Sequence, residues 1–185
     1  MFRFTILAVA FVAASTAFVA TLPSDEPHKP AVTEEQLKDA PLTIAATTFG
    51  RFAEGSSWHI SVNSARQAEL TIQTFPNRAR KQFELTQEQM DQFRSALVQQ
   101  RFFELASDYG QRVPDSSIKT LTVTAGRHSN SVKVQYLTNW LKTDKAKLSE
   151  PSRAVHLLVM IRSWFDDAEA VDLRKYDRMV LDAVK

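Results

Sequence analysis

The chain has 185 residues, 44% of them hydrophobic, with 23 Lys and Arg against 21 Asp and Glu, a formal net charge of +2. This near balance leaves no extended basic face, so nucleic acid is excluded from the expected partners. Cysteine is absent, which excludes disulfides, thiol nucleophiles and cysteine metal ligands. The fold must therefore be held by a hydrophobic core alone.

Residues 1–20 have the order of a secretory signal peptide. Arg3 gives a basic start, the apolar run 4–12 follows, and small residues come next. Cleavage after Ala17 puts small residues at both recognition positions, whereas cleavage after Ala20 puts a phenylalanine at the outer one. Because a spanning helix needs about 20 predominantly apolar residues, a cleaved signal is favoured over an anchor. We expect a secreted or periplasmic protein without stable membrane insertion after cleavage.

Residues 21–41 hold four of the seven prolines and are expected to form an extended linker. Inside this segment, Thr33 and Gln36 match a capping box, and Val32 with Leu37 match a hydrophobic staple. The linker is therefore expected to contain one short helical turn. Its expected use is to space the domain from whatever lies near the N-terminus.

Residues 42–185 are expected to form one folded domain that begins with strands. Apolar and polar residues alternate over 58–62 and again over 68–72, with the turn-like NSARQ between them. This pattern predicts a β-hairpin. The stretch FPNRARK, with Arg78 and Arg80, reads as a basic, solvated turn before a third strand. Its basic and aromatic mixture also makes the two arginines candidate binding residues.

The stretch LTQEQMDQFRSALVQQRFFEL predicts a helix with defined ends. Thr86 and Gln89 match a second capping box, so the helix is expected to start at Gln87. The apolar stripe of the helix fails at Gln100 and Arg101, so we expect the helix to end there.

The adjacent Phe102 and Phe103 after this helix are expected to face different ways. One would plug the core, and the other would be exposed and available to a partner, with Phe103 taken as the contact residue. Tyr109, in the loop SDYGQRVPDSS, is a further candidate. Phe103, Tyr109, Arg78 and Arg80 form the candidate binding set.

Two more strands and two helical segments are expected in the second half of the chain. Alternation predicts strands over 120–125 and 132–136, joined by the turn GRHSNS. Ser149 and Pro151 mark a helix start, and a last helical segment covers 173–184. The inward stripe of the first of these helices is Ala154, Leu157, Leu158, Ile161 and Phe165. This order predicts a two-layer α+β fold, an antiparallel sheet of about five strands with helices packed on one face.

Motifs that carry chemistry are scarce. Four glycines give no phosphate-binding loop, and the four histidines lack a metal-ligand spacing, so neither a cofactor nor a metal is expected. Ionisable residues of two loops supply the catalytic candidates, Asp108, Asp115 and His128. If these side chains converged, they would suit an envelope hydrolase.

The polar face of the predicted sheet carries few charges. It is lined by Thr71, Gln73, Gln82, Thr120, Thr122, Thr124 and Gln135. Such a face either contacts another envelope protein or a glycan, or is simply the solvated side of the sheet. Because no convergent catalytic set is evident, we expect a non-enzymatic binding or accessory module of the periplasm or cell envelope. An envelope hydrolase is the alternative.

The order of elements over residues 58–136 also carries a family resemblance. A hairpin is followed by a third strand that runs into ELTQEQMDQFRSALVQQRFFEL, a loop with Tyr109 and Asp115, and a second hairpin. This order resembles a family of uncharacterised exported bacterial domains. Members similarly carry a helix that closes in a Phe-Phe-x-Leu-like end and an acidic residue before the next strand. The resemblance implies an exported α+β domain and no particular activity.

Overall fold

The computed structural model describes residues 31–49, 57–74, 77–111, 113, 116–137, 144–165, 179 and 181–184. The helices among them are α1 (Glu34–Leu37), α2 (Gln87–Gln99) and α3 (Ser149–Ser163). The strands are β1 (Leu42–Phe49), β2 (Ser57–Val62), β3 (Gln67–Thr74), β4 (Asn77–Glu84), β5 (Asp108–Gly110), β6 (Ile118–Ala125) and β7 (His128–Gln135). Single 3-10 turns form at Phe102–Glu104 and Lys145–Leu148. The expected signal segment lies outside these residues.

The described strands form one sheet in the order β4-β3-β2-β1-β6-β7-β5. An α+β fold is confirmed, but the sheet has seven strands rather than about five. It is also mixed, because β5 pairs with β7 in parallel while the other neighbours are antiparallel. The difference comes from β1 and β5, which the sequence pattern did not predict.

Strand β1 lies in the middle of the sheet and joins its two halves. Its whole length pairs with β6, from Leu42 opposite Ala125 to Phe49 opposite Ile118. On its other edge it pairs with β2, where Ile44 lies opposite Val62. The strands β4-β3-β2 and β6-β7-β5 therefore become one surface only through β1.

Side-chain alternation gives the sheet a buried inner face and a solvated outer face. The inner face contributes Ile44, Ile60, Leu70, Leu121, Val123 and Val132, each at most 2% exposed. Phe93 and Leu97 of α2 and Leu157 and Ile161 of α3 belong to the same core and are fully buried. The core therefore lies between the inner face and these two helices.

Several local predictions are confirmed. The helix α2 begins at Gln87 behind the capping box of Thr86 and Gln89 and ends at Gln99. Arg101 takes a left-handed backbone with φ 47°, which turns the chain away from the helix axis. The five residues predicted to face inward are all buried, four of them in α3 and Phe165 just after the end of the helix at Ser163. Most of the last expected helical segment, 173–184, lies outside the described residues.

The short helix α1 packs against the domain. Both hydrogen bonds of the capping box between Thr33 and Gln36 are present. Leu37 is 0% exposed and belongs to the core, and Val32 packs against that core. Ser95 of α2 donates a hydrogen bond of 2.9 Å to Glu34. Part of the stretch expected to be a linker is thus integral to the folded body.

Leu37→Ala should test the contribution of α1 to stability. We expect the free energy of unfolding to fall by about 2–5 kcal/mol, because the substitution leaves a cavity in a fully buried site. The neighbouring exposed residue Lys38 gives a matched control. Lys38→Ala should change the free energy of unfolding by less than about 0.5 kcal/mol. Urea denaturation measures both variants. Equal and small effects would show that α1 is no part of the cooperative core.

Candidate functional site

The outer face of the sheet carries a concavity of about 710 Å³. Its lining comes from β1, β2, β3, β4 and β6, so most of the sheet contributes to it. One transverse row of directly opposed residues crosses it, because neighbouring strands are in register. In spatial order the row is Gln82, Glu69, Ser61, Ala45 and Thr122. Small side chains at its centre and longer ones toward β4 give the concave shape.

Hydroxyl groups form the β6 side of the concavity. Thr122 and Ser131 share a hydrogen bond of 2.8 Å, and Thr124 and Ser129 share one of 3.1 Å. A hydroxyl has one donor proton and two acceptor lone pairs. Each pair therefore keeps one donor and further acceptors for a ligand, and this side carries no charge.

The amide groups of Asn63 and Gln67 form one end of the concavity. The side-chain NH2 of Asn63 donates 3.0 Å to Gln67, while its oxygen accepts from the backbone N–H groups of Ala65 and Gln67. Both amides are thus oriented by the β2–β3 turn. The NH2 group of Gln67 remains available as a donor at this end.

The carboxylates at the rim are each paired with an arginine. Glu69 lies 2.6 Å from Arg80, and Glu84 lies 2.7 Å from Arg66. The hydrogen bond from Arg80 lowers the pKa of Glu69, and the same contact raises the pKa of Arg80. Because each negative charge has a cation beside it, the concavity is close to electrically neutral.

Part of this face was predicted from the sequence, but its concave shape was not. Thr122, Thr124 and Gln82 were predicted on the polar side and do line the concavity. Ala45 was missed, because β1 itself was not predicted. Gln135 was predicted to be solvated but is 6% exposed, at the pairing of β7 with β5. A register between strands far apart in sequence has no local signal, so the concavity was not predictable.

The expected catalytic residues do not converge. Asp108 forms an ion pair of 2.6 Å with Lys133. His128 is the first residue of β7 rather than a turn residue, and it lies five positions before Lys133, about 16 Å along the strand. The odd separation also puts His128 on the opposite face of the sheet from Lys133. Asp115 lies outside the described residues, so the structure says nothing about it.

Phe103 is buried, which corrects the expected exposed contact. Phe102 and Phe103 are 0% and 6% exposed, and their ring centroids lie 5.5 Å apart in an edge-to-face contact. The left-handed Arg101 starts a 3-10 turn that directs both rings inward. Asn130 holds this turn with hydrogen bonds to the carbonyl oxygens of Phe102 and Leu105. Neither ring is a recognition surface.

Tyr109 is also buried, at 8% exposed. Its hydroxyl accepts a hydrogen bond of 2.8 Å from the backbone N–H of Ala106 and donates one of 2.9 Å to Glu150. Burial raises the pKa of Tyr109 to about 12, and the bond to Glu150 adds to this because only the protonated phenol can donate. Tyr109 therefore ties β5 to the start of α3 rather than facing a partner.

Arg78 and Arg80 lie within β4, which is an edge strand, and not in a turn. Both are exposed on the outer face, because their opposed residues on β3 are Gln73 and Thr71. Of the expected binding set, only these two arginines are accessible.

No group of three or more His, Asp or Glu residues in the described ranges is placed to hold a metal ion. No helix in the described part of the chain is both long enough and apolar enough to cross a membrane.

Tyr109→Phe should remove part of the stability loss at high pH. The pKa of Tyr109 is higher in the folded state than its unfolded value near 10. The stabilising contribution of the protonated hydroxyl is therefore complete below about pH 10 and is lost toward pH 12. Between pH 10 and pH 12 the free energy of unfolding of the wild type should fall by about 2 kcal/mol more than that of the variant. Denaturant unfolding of both proteins between pH 9 and pH 12 measures the difference. Parallel pH profiles would contradict the assigned environment of Tyr109.

Comparison with known proteins adds no relative. No protein-family model matches the chain, and no curated protein matches it. The family resemblance over residues 58–136 therefore stays a prediction.

Proposed function

We propose that the protein is a non-enzymatic binding module of the periplasm or cell envelope, exported by its N-terminal signal. Its ligand site is the outer-face concavity, and its ligand is a neutral glycan. The observation that carries the proposal is the lining of this concavity, which combines uncharged hydroxyl and amide groups with carboxylates that are already paired.

The chemistry of the lining suits sugar hydroxyls. A sugar hydroxyl both donates and accepts hydrogen bonds, and so do the hydroxyls of Ser61, Thr122 and Thr124. Gln67 and Gln82 add amide donors and acceptors at the sides. Because arginines neutralise both rim carboxylates, a charged ligand gains no net attraction here. The volume of about 710 Å³ falls within the usual range for small-ligand sites, about 300–1,000 Å³.

The outer face offers a ligand no aromatic ring within the described lining. Phe83 is the single aromatic among the described lining residues, but it lies opposite the buried Ala68, so its side chain is on the inner face of the sheet. Recognition of a sugar therefore rests on the polar side chains of the outer face. A protein partner fits less well, because protein interfaces are usually centred on several aromatic or arginine anchors.

An envelope hydrolase has less support. A general acid or base has to lie within hydrogen-bond reach of its partner. Asp108 and His128 are separated by about 16 Å along the sheet. The two ionisable groups in the described lining, Glu69 and Glu84, each form an ion pair with an arginine.

Thr122→Phe should weaken glycan binding without unfolding the protein. The new ring fills the floor of the concavity, while the strand tolerates an aromatic residue on its solvated face. Titration calorimetry against neutral oligosaccharides from envelope polymers should show binding to wild type and at least a tenfold loss in the variant, about 1.4 kcal/mol.

Thr120→Phe is the matched control for this substitution. Thr120 is on the same strand and the same face, two residues away, and is not part of the lining. It should bind like wild type. Equal loss in both variants would show that the effect is not specific to the concavity, and absence of binding to every neutral oligosaccharide would refute the glycan assignment.

Export has its own test. Mass spectrometry of the native protein should find a mature N-terminus at Phe18 or Thr21, as the small-residue pattern predicts. An intact N-terminus at Met1 on a membrane-bound protein would instead show that the segment acts as an anchor.

A further inference from the structure

Strand β4 presents a long accessible edge. One side of it pairs with β3 over all eight residues, from Asn77 opposite Thr74 to Glu84 opposite Gln67. On its other side, no strand of the described part of the chain pairs with it. Residues 77–82 are all exposed. An edge of this kind offers unpaired N–H and C=O groups to another extended chain.

The same edge is basic. Within four positions it carries Arg78, Arg80 and Lys81, and Arg80 is paired with Glu69. Among the described residues, no carboxylate lies within ion-pair distance of Arg78 or Lys81. Arg78 is on the outer face, whereas Lys81 lies opposite the core residue Leu70 and so points to the other face. An added strand would therefore meet a cation on each face.

We propose that β4 is a docking edge for an acidic peptide segment that adds to the sheet as an eighth strand. Backbone hydrogen bonds to β4 supply the attachment. Two carboxylates of the peptide, an odd number of residues apart and so on opposite faces of the added strand, pair with Arg78 on one face and Lys81 on the other. The inference does not rest on the glycan assignment, although Arg80 of the same edge holds Glu69 of the concavity.

Charge selects the occupant. Positive side chains on an edge strand oppose pairing with neutral or basic strands, and this is a common protection against aggregation. A second copy of β4 would place Arg78 and Lys81 against the same cations, so self-pairing is disfavoured. The carboxylates of an acidic strand would pair with the same cations, so these charges would contribute to its affinity.

The test uses the full-length mature protein and a fluorescent peptide of Thr and Val that carries two Glu residues three positions apart, which places one carboxylate on each face of the added strand. Anisotropy should detect binding at low salt, and the affinity should fall as salt is raised. A peptide with Gln in place of Glu should bind at least fivefold more weakly, as expected for two exposed ion pairs. Equal binding of the two peptides would overturn the proposal.

Charge-reversed variants locate the site. Arg78→Glu and Lys81→Glu should each lower the affinity for the peptide by roughly fivefold. Arg127→Glu is the matched control, because Arg127 is an exposed cation in the turn between β6 and β7, several strands from β4. It should bind like wild type. Equal weakening by all three variants would show attraction by net charge alone and would refute a site at β4.

Strand addition has a signature that simple ion pairing lacks. Only alternate N–H groups of the peptide would face β4, so N-methylation of one alternate set should abolish binding and N-methylation of the other should not. Two peptides methylated in opposite phases therefore give opposite results. Equal binding of both would rule out an added strand. Sedimentation of the protein alone adds a final check. A dimer that becomes a monomer on Arg78→Glu would mean that a second copy of the chain occupies the edge.

Discussion

The antiparallel pairing of β1 with both β2 and β6 is the constraint on which the whole sheet depends. Because side chains alternate between faces, a slip of one residue would bring Leu42, Ile44 and Ala46 onto the solvated face. The register that buries these residues also places Ala45 directly between Ser61 and Thr122. The core and the candidate ligand site are therefore fixed by the same set of hydrogen-bonded pairs, and neither can change register without the other.

This central strand is also where sequence reasoning failed, and composition explains why. In Ile44-Ala-Ala-Thr-Thr48 the same residue types occur on both faces. Ala46 is 0% exposed while Ala45 is half-buried, and Thr48 is 1% exposed while Thr47 is half-buried. Alternation of hydrophobicity is the signal for a half-buried strand, and here it is nearly absent. The other missed strand, β5, has three residues, too few to show a period. The strands that were predicted, such as β2, place large apolar residues on one face only.

The candidate site shows the same division between local and distant causes. The helix start and its end at Gln99 follow from neighbouring residues, and so were predictable. Asn130 bonds the carbonyl oxygens of Phe102 and Leu105 in the turn that holds Phe103, and the hydroxyl of the buried Tyr109 bonds Glu150, 41 positions away. Contacts across such separations leave no mark on local periodicity. The polarity of the outer face was therefore predictable. The concave shape of this face and the burial of Phe103 and Tyr109 were not.

The two proposed surfaces share one ion pair. Arg80 lies on the β4 edge and holds Glu69, whose carboxylate is part of the concavity. A peptide carboxylate at the edge would compete with Glu69 for this guanidinium, because both side chains of the pair are exposed. Release of Glu69 would leave a negative charge in a concavity that is otherwise neutral. Occupation of the edge would therefore change the electrostatic character of the ligand site, because Arg80 of the edge holds Glu69 of the concavity.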